Sequence, residues 1–378
     1  MVLVLSEEQE LLRDSARDFA GNAIEIDWLR KVREQGAAGF DRDVWRQMAE
    51  LGWTAIPFAE EVGGLGLGYA EAGVVLEELG KVLAVTPYLS SVVLGGGAVD
   101  LGGSDEQKAA ILPGVCDGTT LLTLAYQETA RHDPYAIETS AAKRDGQWVL
   151  NGRKQLVLDA GTADWIIVAA RSGGAPGDRE GLTLFLVDAG AAGLDVQPGL
   201  LLDSRSAAHV SLDDVTVGED AVLGAVDGGA EVLDRVFERA AVALSAEMLG
   251  GIQEAFDRTV EYLKEREQFG AKIGSFQGLK HRAARWFCEV ELTRSIVLQA
   301  LRAIDDGAEN LAEIVSTCKA RASDAFRLSG QEGIQMHGGM GVTDEADIGF
   351  FLKRARVCEL LLGDSAFHRN QFAELKGY

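Results

Sequence analysis

Glu247 lies in the run ALSAEMLGG, residues 243–251, among small and apolar side chains. A carboxylate in such a run is costly to bury without a partner or a task. Two roles suit it. Desolvation raises the proton affinity of a carboxylate and strengthens it as a general base. An arginine reaching across from a neighbouring helix would instead make it half of an ion pair. Two later stretches suit an anion. In REQFG, residues 266–270, Arg266 offers a planar cationic fork that matches a pyrophosphate. The plainer reading is a charged helix end with a C-cap at Gly270. In QMHGGMG, residues 335–341, Gly338, Gly339 and Gly341 let backbone amides come close to an anion. The plainer reading there is a helix break, with His337 packed or capping.

These residues need elements to hold them. Residues 1–120 read mainly as helices, since EEQELLRDSARDFAGNAI and AEAGVVLEELGKVLA carry apolar positions at helical spacing. The glycine-rich EVGGLGLGY separates them. Near residue 120 the pattern changes. LLTLAYQE, GQWVLNGRK, DWIIVAARS, LTLFLVDA and HVSLDDVTV are short, β-rich and bounded by turn residues, so they predict antiparallel strands. Asn151-Gly152 follows a strand and predicts a tight turn. From about residue 226 the helical period returns. It predicts four long helices near 228–265, 275–306, 310–336 and 347–374, a bundle.

Length and composition set limits. The 378 residues suit two or three domains. A net charge of −23 with no basic stripe argues against a nucleic-acid partner. No apolar run reaches the roughly 18 residues of a membrane span. MVLVLS is too short for a signal-peptide core, so a cytoplasmic protein is expected. The four cysteines, Cys116, Cys288, Cys318 and Cys358, are far apart. They predict buried free thiols rather than a metal site or disulfides.

YLKEREQFGAKIGSFQGLKHRAA (262–284) and IQMHGGMGVTDE (334–345) resemble segments of the acyl-CoA dehydrogenases. YQETARHDP, LNGRKQLVLDAGTADW and EEVGGLGLGYAEAGVVLEELGK extend that resemblance over nearly the whole chain, in order. Divergent actinobacterial members, several of which act on bulky steroid thioesters, are the most similar subset. The resemblance implies an α+β fold with an N-terminal helical domain (1–120), a middle antiparallel β domain (121–225) and a C-terminal four-helix bundle (226–378). It implies FAD as cofactor, an acyl-CoA as substrate, a trans-2-enoyl-CoA as product and an electron-transfer flavoprotein as acceptor. The active site would lie between the β domain and the bundle, and homotetramers are usual. Arg266, Gln268, Phe269, Gln335, Gly338 and Gly339 match the segments that hold the ADP part of FAD, mainly that of a neighbouring subunit. Gln127 and Leu158 match the positions beside the flavin ring. The family usually has Thr-Glu-Pro where this chain has Gln127-Glu128-Thr129, and a Ser or Thr at Leu158. Phe237 and Glu238 fit the start of a CoA-contacting Phe-Asp-x-x-Arg pattern. Its arginine position holds Ala241, and Arg239 or Arg235 stands near.

The resemblance also places the base. Most members carry it near the C-terminus, where this chain has Leu362, and Asp364 nearby reads better as a helix N-cap. Others carry it where this chain has Ala240. Neither side chain takes a proton. Glu247 lies seven residues beyond Ala240, about 10 Å along one helix face. It is therefore the expected base, and Glu238 is the next. A rival reading makes the chain a half-site subunit of a heterotetramer. Another makes it a flavin oxidase or hydroxylase on the same fold.

Overall fold

The computed structural model describes residues 4–35 and 39–378. The first three residues of MVLVLS lie outside the described residues. Helices α1 (Glu7–Ala23), α2 (Asp27–Gln35), α3 (Arg42–Glu50), α4 (Tyr69–Lys81), α5 (Gly97–Gly102) and α6 (Asp105–Cys116) come first. Strands β1 (Leu122–Ala125), β2 (Ser140–Arg144), β3 (Gln147–Leu158), β4 (Trp165–Arg171), β5 (Leu182–Asp188), β6 (Leu194–Leu200), β7 (Ser206–Val217) and β8 (Val222–Leu223) follow. Next comes α7 (Gly229–Glu265), then a two-stranded hairpin, β9 (Glu267–Gln268) and β10 (Ala271–Lys272). Helices α8 (Gln277–Asp305), α9 (Leu311–His337), α10 (Ile348–Leu360) and α11 (Ser365–Leu375) complete the chain.

By contact density the chain forms two compact units. One comprises residues 1–30, 69–84 and 241–378, and the other 31–68 and 85–240. The first unit is helical apart from the β9–β10 hairpin. Its α1 begins at a capping box, in which Ser6 and Gln9 satisfy each other's backbone amides. The fourth long segment predicted from the sequence is two helices. Leu362 and Gly363 take left-handed φ values of 59° and 92°, which ends α10. Asp364 then caps α11, its Oδ1 accepting from the amides of Ala366 and Phe367.

The second unit is built on an eight-stranded sheet of order β6-β7-β3-β2-β4-β5-β8, with β1 beside β4. The predicted strands are present, and β2, β6 and β8 join them. Pairing is antiparallel along most of the sheet, but β1 pairs parallel to β4, so the sheet is mixed. Central β4 is buried along almost its whole length, which explains why WIIVAAR is continuously apolar up to its last residue. Trp148, Leu150, Ile166, Val168, Phe185 and Val210 fill the core on one side.

The predicted turn at Asn151-Gly152 is absent. These residues sit inside β3, at a register shift against β7. The Asn151 side chain exchanges hydrogen bonds with Asp214 instead, at 3.0 and 2.9 Å. Gly152 is required because a Cβ there would come within 2.4 Å of the Thr139 hydroxyl. The real hairpin turn is Asp145-Gly146, with φ values of 50° and 80°, the left-handed pair that a two-residue turn needs.

Candidate functional site

Glu247 lies on α7 in the first unit and is 8% exposed. Its Oε1 accepts from Arg354 Nη1 at 2.7 Å. Arg354, on α10, is almost wholly buried. The same guanidinium donates to the carbonyls of Leu83 (2.9 Å) and Ala84 (3.1 Å), just past the end of α4. The carboxylate is thus held in one orientation by a cation that also fastens the α4 terminus. This is the ion-pair geometry the sequence left open beside the base. The neighbouring glycines have a separate cause. A Cβ on Gly250 would lie 1.8 Å from the Glu77 carbonyl oxygen of α4, and one on Gly80 would lie 2.0 Å from that of Glu247. The backbones of α4 and α7 therefore touch where Glu247 sits.

Leu362, at the position where most relatives' base would stand, is buried. The turn around it is tied down. The Lys319 ammonium, fully buried, donates to the carbonyls of Cys358 (3.0 Å), Glu359 (3.3 Å) and Gly363 (2.8 Å). Burial pushes that amine down to about 8. His368 Nε2 lies 2.8 Å from the Leu362 carbonyl. Burial first, then the Lys319 charge, pushes His368 down to about 4. Free histidine holds its proton up to about 6.5. Between those values the unfolded chain binds the extra proton, so stability must fall as pH drops from about 6.5 to about 4. His368 contributes of order 3 kcal/mol at most to that fall. Urea midpoints measured across that window should drop less steeply for His368→Gln than for the native chain.

The two anion-type segments belong to the same unit. The helix α7 ends at Glu265, not at Gly270. Phe269 and Gly270 form the turn of the β9–β10 hairpin, with φ values of 55° and 77°. Phe269 is 93% exposed. Arg266, Gln268 and Gln335 are exposed as well, and the Arg266 guanidinium makes no hydrogen bond or ion pair among the described residues. Gly338 and Gly339 are exposed, and nothing lies within 4 Å of where a Cβ would stand. The Gly338 amide is spent on the Gln335 carbonyl at the α9 cap, but an unspent guanidinium, uncrowded glycine backbone and an uncovered ring fit the ADP part of FAD. His337 is packed, stacked on Tyr262 with ring centres 4.3 Å apart, and its Nδ1 is 2.7 Å from the Gly333 carbonyl.

In the second unit Gln127 and Leu158 are buried. The Gln127 amide donates to the Thr129 carbonyl at 3.0 Å, and the Leu158 carbonyl accepts from the Thr123 hydroxyl at 2.5 Å. Leu158 has no side-chain donor, so any hydrogen bond it makes to a flavin ring falls to its backbone. Leu158 sits just beyond a second register shift in β3, between Leu156 and Asp159, which both take left-handed φ values of 54°. Phe237 packs against Tyr126, with ring centres 4.6 Å apart, and against the edge of His132. The Tyr126 hydroxyl is 2.9 Å from His132 Nδ1. Burial first, then Asp234, raises the proton affinity of Glu238. Arg239 pairs with Asp100 at 3.3 Å.

Sequence reasoning missed Arg354, Lys319, Tyr126 and His132. Arg354 was hidden between two other cations, in Lys353-Arg354-Ala355-Arg356, so its burial left no local signal. Lys319 carried a weak one, between Cys318 and Ala320. All four cysteines are free, but Cys288 is exposed, because it falls on an outward position of α8. Among the described residues no group of acids, histidines and cysteines could hold a metal, and no helix is long and apolar enough to cross a membrane.

Comparison with known proteins bears on this arrangement. Residues 6–119, 125–215 and 227–376 match the N-terminal, middle and C-terminal domains of acyl-CoA dehydrogenase, respectively. The chain is 31% identical to acyl-CoA dehydrogenase IpdE2 of Mycolicibacterium smegmatis, over 95% of this chain and 96% of that one. Among solved structures it is similar to a variant of the Tcur3481–Tcur3483 steroid ACAD. That match has 30% identity, a TM-score of 0.87 and coverage of 98% of each chain. It is also similar to the ChsE4–ChsE5 complex of Mycobacterium tuberculosis, at 25% identity and a TM-score of 0.90, over 100% of this chain and 99% of that one. The chain belongs to the acyl-CoA dehydrogenase family and is an FAD-dependent oxidoreductase.

Proposed function

We propose that the protein dehydrogenates a branched or bulky, steroid-like acyl-CoA across its Cα–Cβ bond, giving a trans-2-enoyl-CoA, with Glu247 as the base. FAD, when bound, supplies the two-electron oxidation and accepts the β hydrogen as hydride. Arg266, Gln268, Phe269, Gln335, Gly338 and Gly339 hold its ADP part, and the backbone at Gln127 and Leu158 meets its ring. Phe237, Glu238 and Arg239 contact the acyl-CoA. Glu247 removes the α proton, which hydrogen bonds to the thioester carbonyl make more acidic. Arg354 fixes the direction of the Glu247 carboxylate. An electron-transfer flavoprotein takes the electrons onward, and domains of 1–120, 121–225 and 226–378 make up each subunit of a tetramer in the cytoplasm.

The observation that carries this reading is the buried carboxylate of Glu247 in a chain whose other two base positions hold Leu362 and Ala240. A solved relative named as a steroid ACAD supports the substrate class. The Arg354 ion pair favours a second reading, in which Glu247 is structural and this chain is the half-site subunit of a heterotetramer. Flavin bleaching by a bulky acyl-CoA separates the two. Glu247→Gln, which keeps an acceptor for Arg354, should retain bound FAD and lower the bleaching rate by a thousandfold or more, the scale of a lost base with some proximity effect. An unchanged rate, or a chain that gains flavin only beside a homologous partner, would move the chemistry to that partner.

A further inference from the structure

The turn that follows α9, Gly338–Val342, leads through residues 343–347 into α10. It closes at Thr343, whose amide and hydroxyl both donate to the Met340 carbonyl, at 3.0 and 2.7 Å. Arg30, in the first turn of α2, grips the residues just beyond. Its Nε and Nη2 donate to the Asp344 carbonyl at 3.2 and 3.0 Å. Nη2 is shared with the Glu345 carbonyl at 3.2 Å and the Asp347 carboxylate at 2.8 Å. Nη1 is spent on Asp27 at 2.6 Å. The guanidinium lies over the Phe350 ring, 4.8 Å from its centre. Arg258, on α7, meets the other oxygen of Asp347 at 3.1 Å and also holds Glu254 at 2.7 Å.

One guanidinium thus ties two consecutive carbonyls and a carboxylate of a segment 314 residues away in sequence. Asp344 and Glu345 are exposed, and a single exposed bond of this kind adds little to stability, because water serves the same carbonyl. What the set supplies together is fixed position: it removes backbone freedom between Thr343 and α10. The glycine turn has little packing of its own to replace that. Nothing lies within 4 Å of where a Cβ would stand at Gly338 or Gly339, and only Gly341 is pressed against α9, where a Cβ would lie 2.5 Å from the Ile334 carbonyl oxygen. The shape of the turn therefore depends on its two ends. One is the α9 terminus, where His337 stacks on Tyr262. The other is the segment that Arg30 holds.

We propose, on the reading of this turn as part of the ADP site, that Arg30 is a positioning residue for FAD: by anchoring Asp344, Glu345 and Asp347 it holds the Gly338–Val342 turn in the shape that receives the ADP part. A turn ordered beforehand loses less freedom at the moment of binding. The full chain stripped of FAD is titrated with FAD and with ADP, the probe for this half of the cofactor. Arg30→Met keeps an apolar stem over Phe350 and removes every donor. It should weaken both ligands by the same factor, about tenfold, the scale of one residue's backbone left to be ordered on binding. Arg30→Lys should recover little of that loss, since an ammonium cannot hold two carbonyls and a carboxylate as the fork does. Asp347→Asn gives an independent check in the same direction. Asp27→Asn, which loosens Arg30 within α2 and leaves its loop contacts in place, should keep ADP affinity within about twofold. A lowered melting temperature for Arg30→Met with native ADP affinity would overturn the proposal, as would full recovery by lysine or an equal loss in Asp27→Asn. Arg266→Gln and Gln335→Ala test the ADP site itself. If neither weakens ADP, the ADP part does not sit here and both readings fall. If both weaken it and Arg30→Met does not, only the role of Arg30 falls.

Discussion

Gly250→Ala should cost about 3 kcal/mol or more, at or above the usual upper end for overpacking. The reason is that its new methyl carbon meets backbone rather than a side chain. It would fall 1.8 Å from the Glu77 carbonyl oxygen and 3.0 Å from the Lys81 amide nitrogen. A side chain could rotate away, but a helix carbonyl cannot move alone. The variant must therefore lift α4 off α7. By helix propensity alone the substitution should help, since alanine beats glycine by about 1 kcal/mol in a helix interior. The sign of the measured change thus separates packing from propensity. Urea unfolding is the measurement, with a lowered midpoint expected. Gly251→Ala is the useful comparison. Its methyl carbon meets the ring of Phe326 at 2.5 Å, which has some freedom to shift. A smaller loss is expected there. A stabilised Gly250→Ala would mean that α4 and α7 are not packed this closely.

The same pair of glycines shows how far the sequence could be read. Helical spacing was enough to find α1, α4, α7, α8 and α9, because one apolar stripe per helix is a local property. Spacing alone ran α10 and α11 together, because Leu362 is an unusual residue for the left-handed turn that parts them, but Asp364, expected as an N-cap, marks the start of α11. Asn151-Gly152 misled for a related reason. Its glycine answers to Thr139, a strand neighbour that is distant in sequence, and not to a turn. The site divided in the same way. The segments Arg266–Phe269 and Gln335–Gly339 stood out in the sequence through resemblance, and Arg266, Gln268, Phe269, Gln335, Gly338 and Gly339 are exposed in the structure. Buried partners did not stand out. Nothing local to Glu247 says that Arg354, 107 residues later, closes on it. An unpaired charge in an apolar run signals only that a partner or a task exists.

That partnership gives the second large effect. Arg354→Met should destabilise the protein by about 3–5 kcal/mol, the range for breaking a buried pair from one side. It takes the Arg354 cation from the Glu247 carboxylate and removes donors from the Leu83 and Ala84 carbonyls together. Glu247→Gln should cost less, about 1–3 kcal/mol, because an amide oxygen still accepts from Arg354. The double variant Glu247→Met, Arg354→Met should recover much of the loss, since a buried pair replaced by apolar groups of similar size is often near neutral. A double-mutant cycle in urea, using both single methionine variants, should then show a coupling of about 2 kcal/mol or more. Additive losses would mean that Arg354 acts mainly on the α4 terminus and not on Glu247. The cycle also bears on catalysis. If Glu247 is the base, the double methionine variant folds yet leaves acyl-CoA unable to bleach the flavin. If bleaching persists in that folded variant, the proton goes elsewhere, and the half-buried Glu238 is the next carboxylate to replace.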